Sequence, residues 1–345
     1  MSIPDNITNI RSEAFRCCSN LISVKIPNSV TNIEGFALCE CSNLISVSLP
    51  EGLTTVNDYL FSDCTSLINI KIPNSVKTIS IGAFKNCRSL SNVIIPDSVV
   101  EIGNGAFYGC TGLNSLTIPC SAKIYNSNET FYNCSKIEKI IIAKGSGTMQ
   151  SYGTSTSTGS TSTCYAYTPW YISKNSIKEI IIEDGIDNIG SYAFYENTGI
   201  TDITLPDSIT SIGSRAFAKC SNLSKIIIPE SVDSIGNGAF YGCSEMISVD
   251  IPDSVVSIGS EAFAYCQKLE SVAIPHNVSD IASSTFRGCS GLKTVSIPNS
   301  VSGIGNYAFA ECTSLENVTL PDDLMSVGSS SFSGCSKLKS VVISD

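Results

Sequence analysis

The chain is 345 residues long, 42% hydrophobic and only 15% charged, a balance that excludes both highly charged disorder and a bundle of membrane helices. Its 21 Lys and Arg stand against 31 Asp and Glu, a formal net charge of −10, and the basic residues are scattered along the chain, which argues against a nucleic-acid partner. A single histidine, His276, removes every site that needs two. No stretch approaches the roughly 18 consecutive apolar residues of a spanning helix, so membrane insertion is not expected. The opening MSIPDNITNIRSEAF lacks the basic-then-apolar order of a signal peptide.

An internal repeat organises everything else. One large apolar residue recurs at Phe15, Leu38, Phe61, Phe84, Phe107, Phe131, Tyr171, Phe194, Phe217, Phe240, Phe263, Phe286, Phe309 and Phe332. Every step is 23 except Phe107 to Phe131, which is 24, and Phe131 to Tyr171, which is 40, giving fourteen units and 18 extra residues. The expected organisation is repeats one to six over 1–142, a Gly/Ser/Thr-rich insertion over 143–170, and repeats seven to fourteen over 171–345 of the same solenoid.

Within the unit Ile95–Thr117, IPDSVVEIGNGAFYGCTGLNSLT, the elements follow in order. The strand that enters it, with Leu90, Val93 and Ile95, alternates β-branched and polar residues, the pattern of a sheet with one buried face. Pro96 ends that strand because it has no N–H for a ladder. Val99 and Ile102 predict a second short extended piece, and Gly103 a turn. Ala106, Phe107 and Cys110 predict one or two turns of helix facing inward. A single coil cannot bury its apolar row alone, so neighbours must stack. The expected fold class is an α/β repeat solenoid, a right-handed coil with a long parallel sheet on the concave side and short strands and helical turns on the convex side.

The segments LPDSITSIGSRAFAKCSNLSKI from Leu205 and IPDSVVSIGSEAFAYCQKL from Ile251 to Leu269 resemble the BspA-like (bacterial surface antigen A type) leucine-rich repeat family. The resemblance covers nearly the whole chain apart from about 143–170. It departs from the general leucine-rich pattern in that the cysteine precedes the strand leucine by three and no Asn ladder follows the strand. The resemblance implies a surface or secreted adhesion and interaction protein without catalytic residues.

Sixteen cysteines would ordinarily suggest disulfides or metal. Twelve of them, Cys18, Cys41, Cys64, Cys87, Cys110, Cys134, Cys220, Cys243, Cys266, Cys289, Cys312 and Cys335, hold one repeat position. A zinc site needs ligands converging on a point, whereas this spacing strings one thiol per coil along an axis. A ladder of buried free thiols is the favoured reading, with disulfides between adjacent rungs as the lesser one. Cys17, Cys39, Cys120 and Cys164 lie off register, and a tether between Cys120 and Cys164 stays open.

Signatures of hydrolases, P-loops, zinc proteases and calcium loops are all missing, so neither enzyme nor cofactor is expected. His276 falls in the turn IPHNV, at a slot elsewhere held by Asp97, Asp207, Asp253 and Asp322. Turn chemistry accounts for that acidic row, with a cation or basic partner as the sharper alternative. The recurring Ile-Gly pairs, such as Ile212 and Gly213, reflect backbone geometry rather than a nucleotide loop.

Departures from the consensus mark candidate binding surfaces. Ile94, Ile141, Ile181 and Ile227 place apolar side chains on the concave sheet, with Lys139, Glu179 and Lys225 on the adjoining row. The insertion ends in Tyr165, Tyr167, Trp170 and Tyr171 and contains the only tryptophan. Tyr171 holds a phenylalanine slot and reads as core, and Trp170 as packing or ligand contact. Sequons at Asn6, Asn128, Asn133, Asn222, Asn277 and Asn317 discriminate nothing. The leading expectation is a non-catalytic scaffold that binds a protein partner, host or self, at a cell surface or outside the cell. The alternative is a structural module that self-associates end to end, because neither terminus shows a polar capping unit.

Overall fold

The computed structural model describes residues 1–343 except 126, 146 and 153–167. These fall into two compact units, Met1–Gly147 with Tyr167–Glu183 and Thr148–Ala166 with Asp184–Asp345. Within each unit the chain winds into stacked coils joined by three hydrogen-bonded ladders.

The front ladder is parallel sheet. In the first unit Asn92–Ile94, Ser115–Pro119, Lys139–Ala143 and Glu179–Ile182 lie side by side in that order. Val93 faces Leu116, Leu116 faces Ile140 and Ile140 faces Ile180, so equivalent residues pair across the steps of 24 and 40 as they do across steps of 23. The extra residues are thus accommodated away from the sheet. In the second unit Asp202–Thr204 pairs with Lys225–Ile227, and Asn317–Leu320 with Ser340–Ile343. Rungs such as Asn92–Ile94, Asp202–Thr204 and Lys225–Ile227 bury their middle Val or Ile and expose their flanks, as alternation requires.

A side ladder runs through the second apolar piece of each unit. Glu101–Ile102 pairs with Thr78–Ile79 and Lys123–Ile124, and Ser211–Ile212 with Asn188–Ile189 and Ser234–Ile235. Residues 148–152, which composition places in the insertion, run as one more rung. Thr148 bridges to Asn188, the Met149 N–H donates to Asn188 Oδ1 at 2.7 Å, and the Tyr152 N–H donates to the Ser191 carbonyl at 2.8 Å. Met149 is buried in the niche that isoleucine fills elsewhere.

The expected helical turns are corrected. The only helical pieces among the described residues are Ser127–Thr130 and the 3-10 turn Tyr171–Ser173. The Ala-Phe-x-x-Cys segment is instead a third ladder made of tight turns. Except before Phe131, where Glu129 lies in the helical turn Ser127–Thr130, the residue two before each phenylalanine and the one two after adopt left-handed backbone, as in Tyr59 (φ 52°) and Asp63 (φ 60°), or Arg215 (φ 54°) and Lys219 (φ 60°). A helix cannot pass through such residues. The N–H of Lys85 closes a turn on Gly82 at 2.9 Å, while the N–H groups of Phe84 and Asn86 donate to Ala106 and Tyr108 of the next coil at 2.7 Å. Inward spacing therefore resembles a helix, although the backbone belongs to the stack.

Two columns fill the interior behind these turns. Phe61, Phe84, Phe107 and Phe131 stack face to face in the first unit at 5.2–5.5 Å. Phe194 through Phe332 do so in the second at 5.3–5.6 Å. Beside them runs the column of cysteines. The Ile-Gly glycines serve close approach: a Cβ on Gly103 would come within 2.7 Å of the Ile81 nitrogen and the Ser80 carbonyl carbon of the preceding coil.

Candidate functional site

On the front ladder of the first unit, Ile94 is 59% exposed and Ile181 36%, while Ile141 between them in the sheet is half-buried. Lys139 and Glu179 flank these residues and pair with each other at 2.9 Å. In the second unit Ile227 is 53% exposed beside the exposed Lys225. The sequence-predicted patch is thus divided between the units, three isoleucines in one and Ile227 in the other.

The structure adds a groove. A depression of about 860 Å³ opens beside Ile94, walled by Asn69, Lys71, Asn92, Thr117 and Glu183. Lys71 at its rim pairs with Glu51 at 2.8 Å. Its apolar floor and mixed polar wall suit a protein side chain rather than a charged small molecule. Sequence reasoning missed a second apolar column, Ile22, Ile45 and Ile68, all exposed, with each N–H after the first donating to the carbonyl of its predecessor. The signal was legible: an isoleucine directly follows the strand leucine in three successive units.

The insertion residues divide. Tyr165 and Tyr167 lie outside the described residues, as does Cys164 with its tether to Cys120. Trp170 is fully buried, which makes it a packing residue and removes it from any exposed surface. Tyr171 is half-buried instead, its hydroxyl accepting from Lys174 Nζ at 2.8 Å and its ring beneath that cation at 4.0 Å.

The repeat cysteines do more than fill space. Each Sγ–H from Cys41 to Cys335 donates to the carbonyl of the phenylalanine-position residue one coil back, for example Cys87 to Phe61 at 3.1 Å and Cys266 to Phe240 at 3.3 Å. No disulfide joins them among the described residues, and Cys17 and Cys18 are exposed. Burial pushes the Cys41 thiol up to about 11 and the Cys266 thiol up to about 12. Such thiols are held protonated, the opposite of what a nucleophile or metal ligand requires.

His276 is an exposed turn residue whose Nδ1 lies 3.0 Å from Asp253 Oδ1. The His276 backbone N–H also donates to that carboxylate and, more than the imidazole, holds Asp253 below the usual carboxylate range. Among the described residues no group of three or more His, Cys, Asp or Glu could hold a metal ion. No helix among them is long and apolar enough to cross a membrane.

A crystal structure of a leucine-rich repeat protein from Bacteroides ovatus is similar at 28% identity, covering 94% of this chain and 87% of that one with a TM-score of 0.60. A leucine rich cell surface protein from Faecalibacterium prausnitzii is similar at 25% identity, covering 100% of this chain and 87% of that one, with a TM-score of 0.40. No curated protein matches the chain. Residues 1–100, 54–163, 169–293 and 256–345 match the BspA type leucine rich repeat region, and with the stacked, in-register coils this shows that the chain belongs to the BspA-type leucine-rich repeat family.

Proposed function

We propose that this chain is a non-catalytic scaffold displayed at a bacterial cell surface, which binds a protein partner through the front ladder around Ile94. The observation that carries the reading is the 860 Å³ groove beside an exposed isoleucine on Asn92–Ile94, the end strand of the parallel sheet, which pairs with Ser115–Pro119. Exposed apolar side chains among polar ones mark interaction surfaces, and a preformed sheet loses little entropy when it binds. Kinship with the BspA type supports the surface location, and the protonated thiols and the exposed His276–Asp253 pair support a role without catalysis or cofactor.

The test compares the whole chain with Ile94→Asp on immobilised extracellular-matrix extract. Removing a central apolar contact worth over about 1.4 kcal/mol weakens binding about tenfold or more, with an unchanged melting temperature because Ile94 is exposed. Equal binding by the two proteins, or none by either, overturns the reading. Light scattering over a concentration series runs alongside, and concentration-dependent growth lost in Ile94→Asp would identify the partner as a second copy.

A further inference from the structure

A second groove, of about 420 Å³, lies on the turn ladder of the first unit. Its origin is in the left-handed residue two before the phenylalanine position of the repeat, which in four successive coils is Phe36, Tyr59, Gly82 and Gly105. Phe36 and Tyr59 stack at 4.9 Å with 15° between their planes. Tyr59 leans across the next coil, so that a Cβ on Gly82 would lie 2.5 Å from Tyr59 Cε1. Above Gly105 there is room: a Cβ there would meet only Tyr108 Cβ, at 3.7 Å. The column of rings therefore stops at Tyr59 with space for one more over Gly105.

The rest of the groove is polar at its edges. Tyr108 and Tyr132 stack at 5.2 Å on the far side, and Lys85 Nζ lies 5.4 Å from the Tyr108 centroid. Glu129 contributes a carboxylate. Asn104 also lines the groove, and its Oδ1 is buried without a hydrogen-bond partner. At the same repeat position Asp58, Asn237 and Asn306 each accept the N–H of the next coil, from Ile81, Ser260 and Ser329. Asn104 alone of these four lacks that bond, and it borders the open slot.

We propose that this groove binds one sugar ring of a glycan, stacked on Tyr59 over Gly105, with Lys85, Asn104 and Glu129 meeting its hydroxyls. The electron-rich face of an aromatic ring favours polarised C–H groups, which a pyranose presents on its flat side. A hydroxylated edge needs donors and acceptors together, and an ammonium, a carboxamide and a carboxylate supply both. The volume is at the lower end of the roughly 300–1,000 Å³ of ligand sites, which fits a short saccharide better than a peptide. These residues are separate from the groove at Ile94, so the two readings fail independently.

The experiment is calorimetric titration of the full chain with methyl glycosides of glucose, galactose, mannose and N-acetylglucosamine, and with indole as a flat ring without hydroxyls. Gly105→Tyr supplies the missing ring from the protein itself, and the backbone accepts it, since Tyr59, Tyr192 and Tyr307 hold the same position at φ 52°, 58° and 59°. At least one glycoside should bind the native chain, at least tenfold more weakly after Gly105→Tyr, at an unchanged melting temperature and unaffected by Ile94→Asp. No binding by any glycoside, preference for indole, or full binding by a folded Gly105→Tyr overturns the proposal.

Discussion

Raising the pH from 7.5 to 9.5 should unfold this protein through its own cysteines. Cys41, Cys64, Cys87, Cys110, Cys220, Cys243, Cys266, Cys289 and Cys312 are fully buried, and desolvation is the main reason that each thiol is held above its ordinary range. In the unfolded chain the same thiols ionise near pH 8.5. A folded value above the unfolded one means that the stabilisation is complete below about 8.5 and is lost as pH rises towards the folded value. At pH 9.5 each buried thiol favours the unfolded state by about 1.4 kcal/mol. The five in the second unit, Cys220 to Cys312, together reach about 7 kcal/mol, comparable with the roughly 5–15 kcal/mol that holds a domain folded. Urea unfolding in excess reductant at the two pH values measures this directly. Cys266→Ala should lower stability at pH 7.5 yet reduce the alkaline loss by about 1.4 kcal/mol. Equal urea midpoints at both pH values would refute the reasoning, because the thiols would then titrate alike in the folded and unfolded chains.

Other perturbations act on single ladders. Phe240→Ala removes a ring held between Phe217 and Phe263 and should cost about 3–5 kcal/mol by chemical denaturation. Gly236→Ala drives a Cβ to within 2.6 Å of the Ser214 nitrogen, so overpacking against backbone should cost about 1–3 kcal/mol, measurable in the same assay. On the acid side, Arg11, Arg16 and Lys339 hold Glu34, Glu40 and Glu316 below the usual carboxylate range by hydrogen bonding. The stabilisation from these exposed pairs is present above about pH 4.3 and lost as pH falls through the depressed values, so calorimetry should show the melting temperature dropping there, less steeply in high salt.

The repeat, the front sheet and the inward column were legible because each leaves a periodic mark. Phe107, Val93 and Cys110 recur at fixed spacing, and the register pairs equivalent residues even across the 40-residue step. The turn ladder was not legible as such. Ala106, Phe107 and Cys110 point inward at near-helical spacing, and although the left-handed residues beside them are Gly105 and Gly109, most other coils carry side chains such as Tyr59, Asp63, Arg215 and Lys219 at those positions. Sequence gives no consistent local sign of that conformation, because hydrogen bonds to the next coil impose it. Trp170 illustrates the same limit: the 23-residue phase assigned the slot to Tyr171, yet the larger ring is the one fully buried. Exposure of Ile94 could be read from strand alternation, but not the groove beside it, which depends on Asn69, Thr117 and Glu183 from other coils.

The central claim is that the sheet around Ile94 meets a protein partner. A photoreactive amino acid placed at Ile94 tests it most directly, with the same group at the exposed turn residue Ser330 as the reference. On matrix extract, irradiation should give a discrete cross-linked species from position 94 that is absent from position 330 and is competed away by unlabelled native chain. Equal cross-linking from both positions, or none from Ile94, would contradict the account.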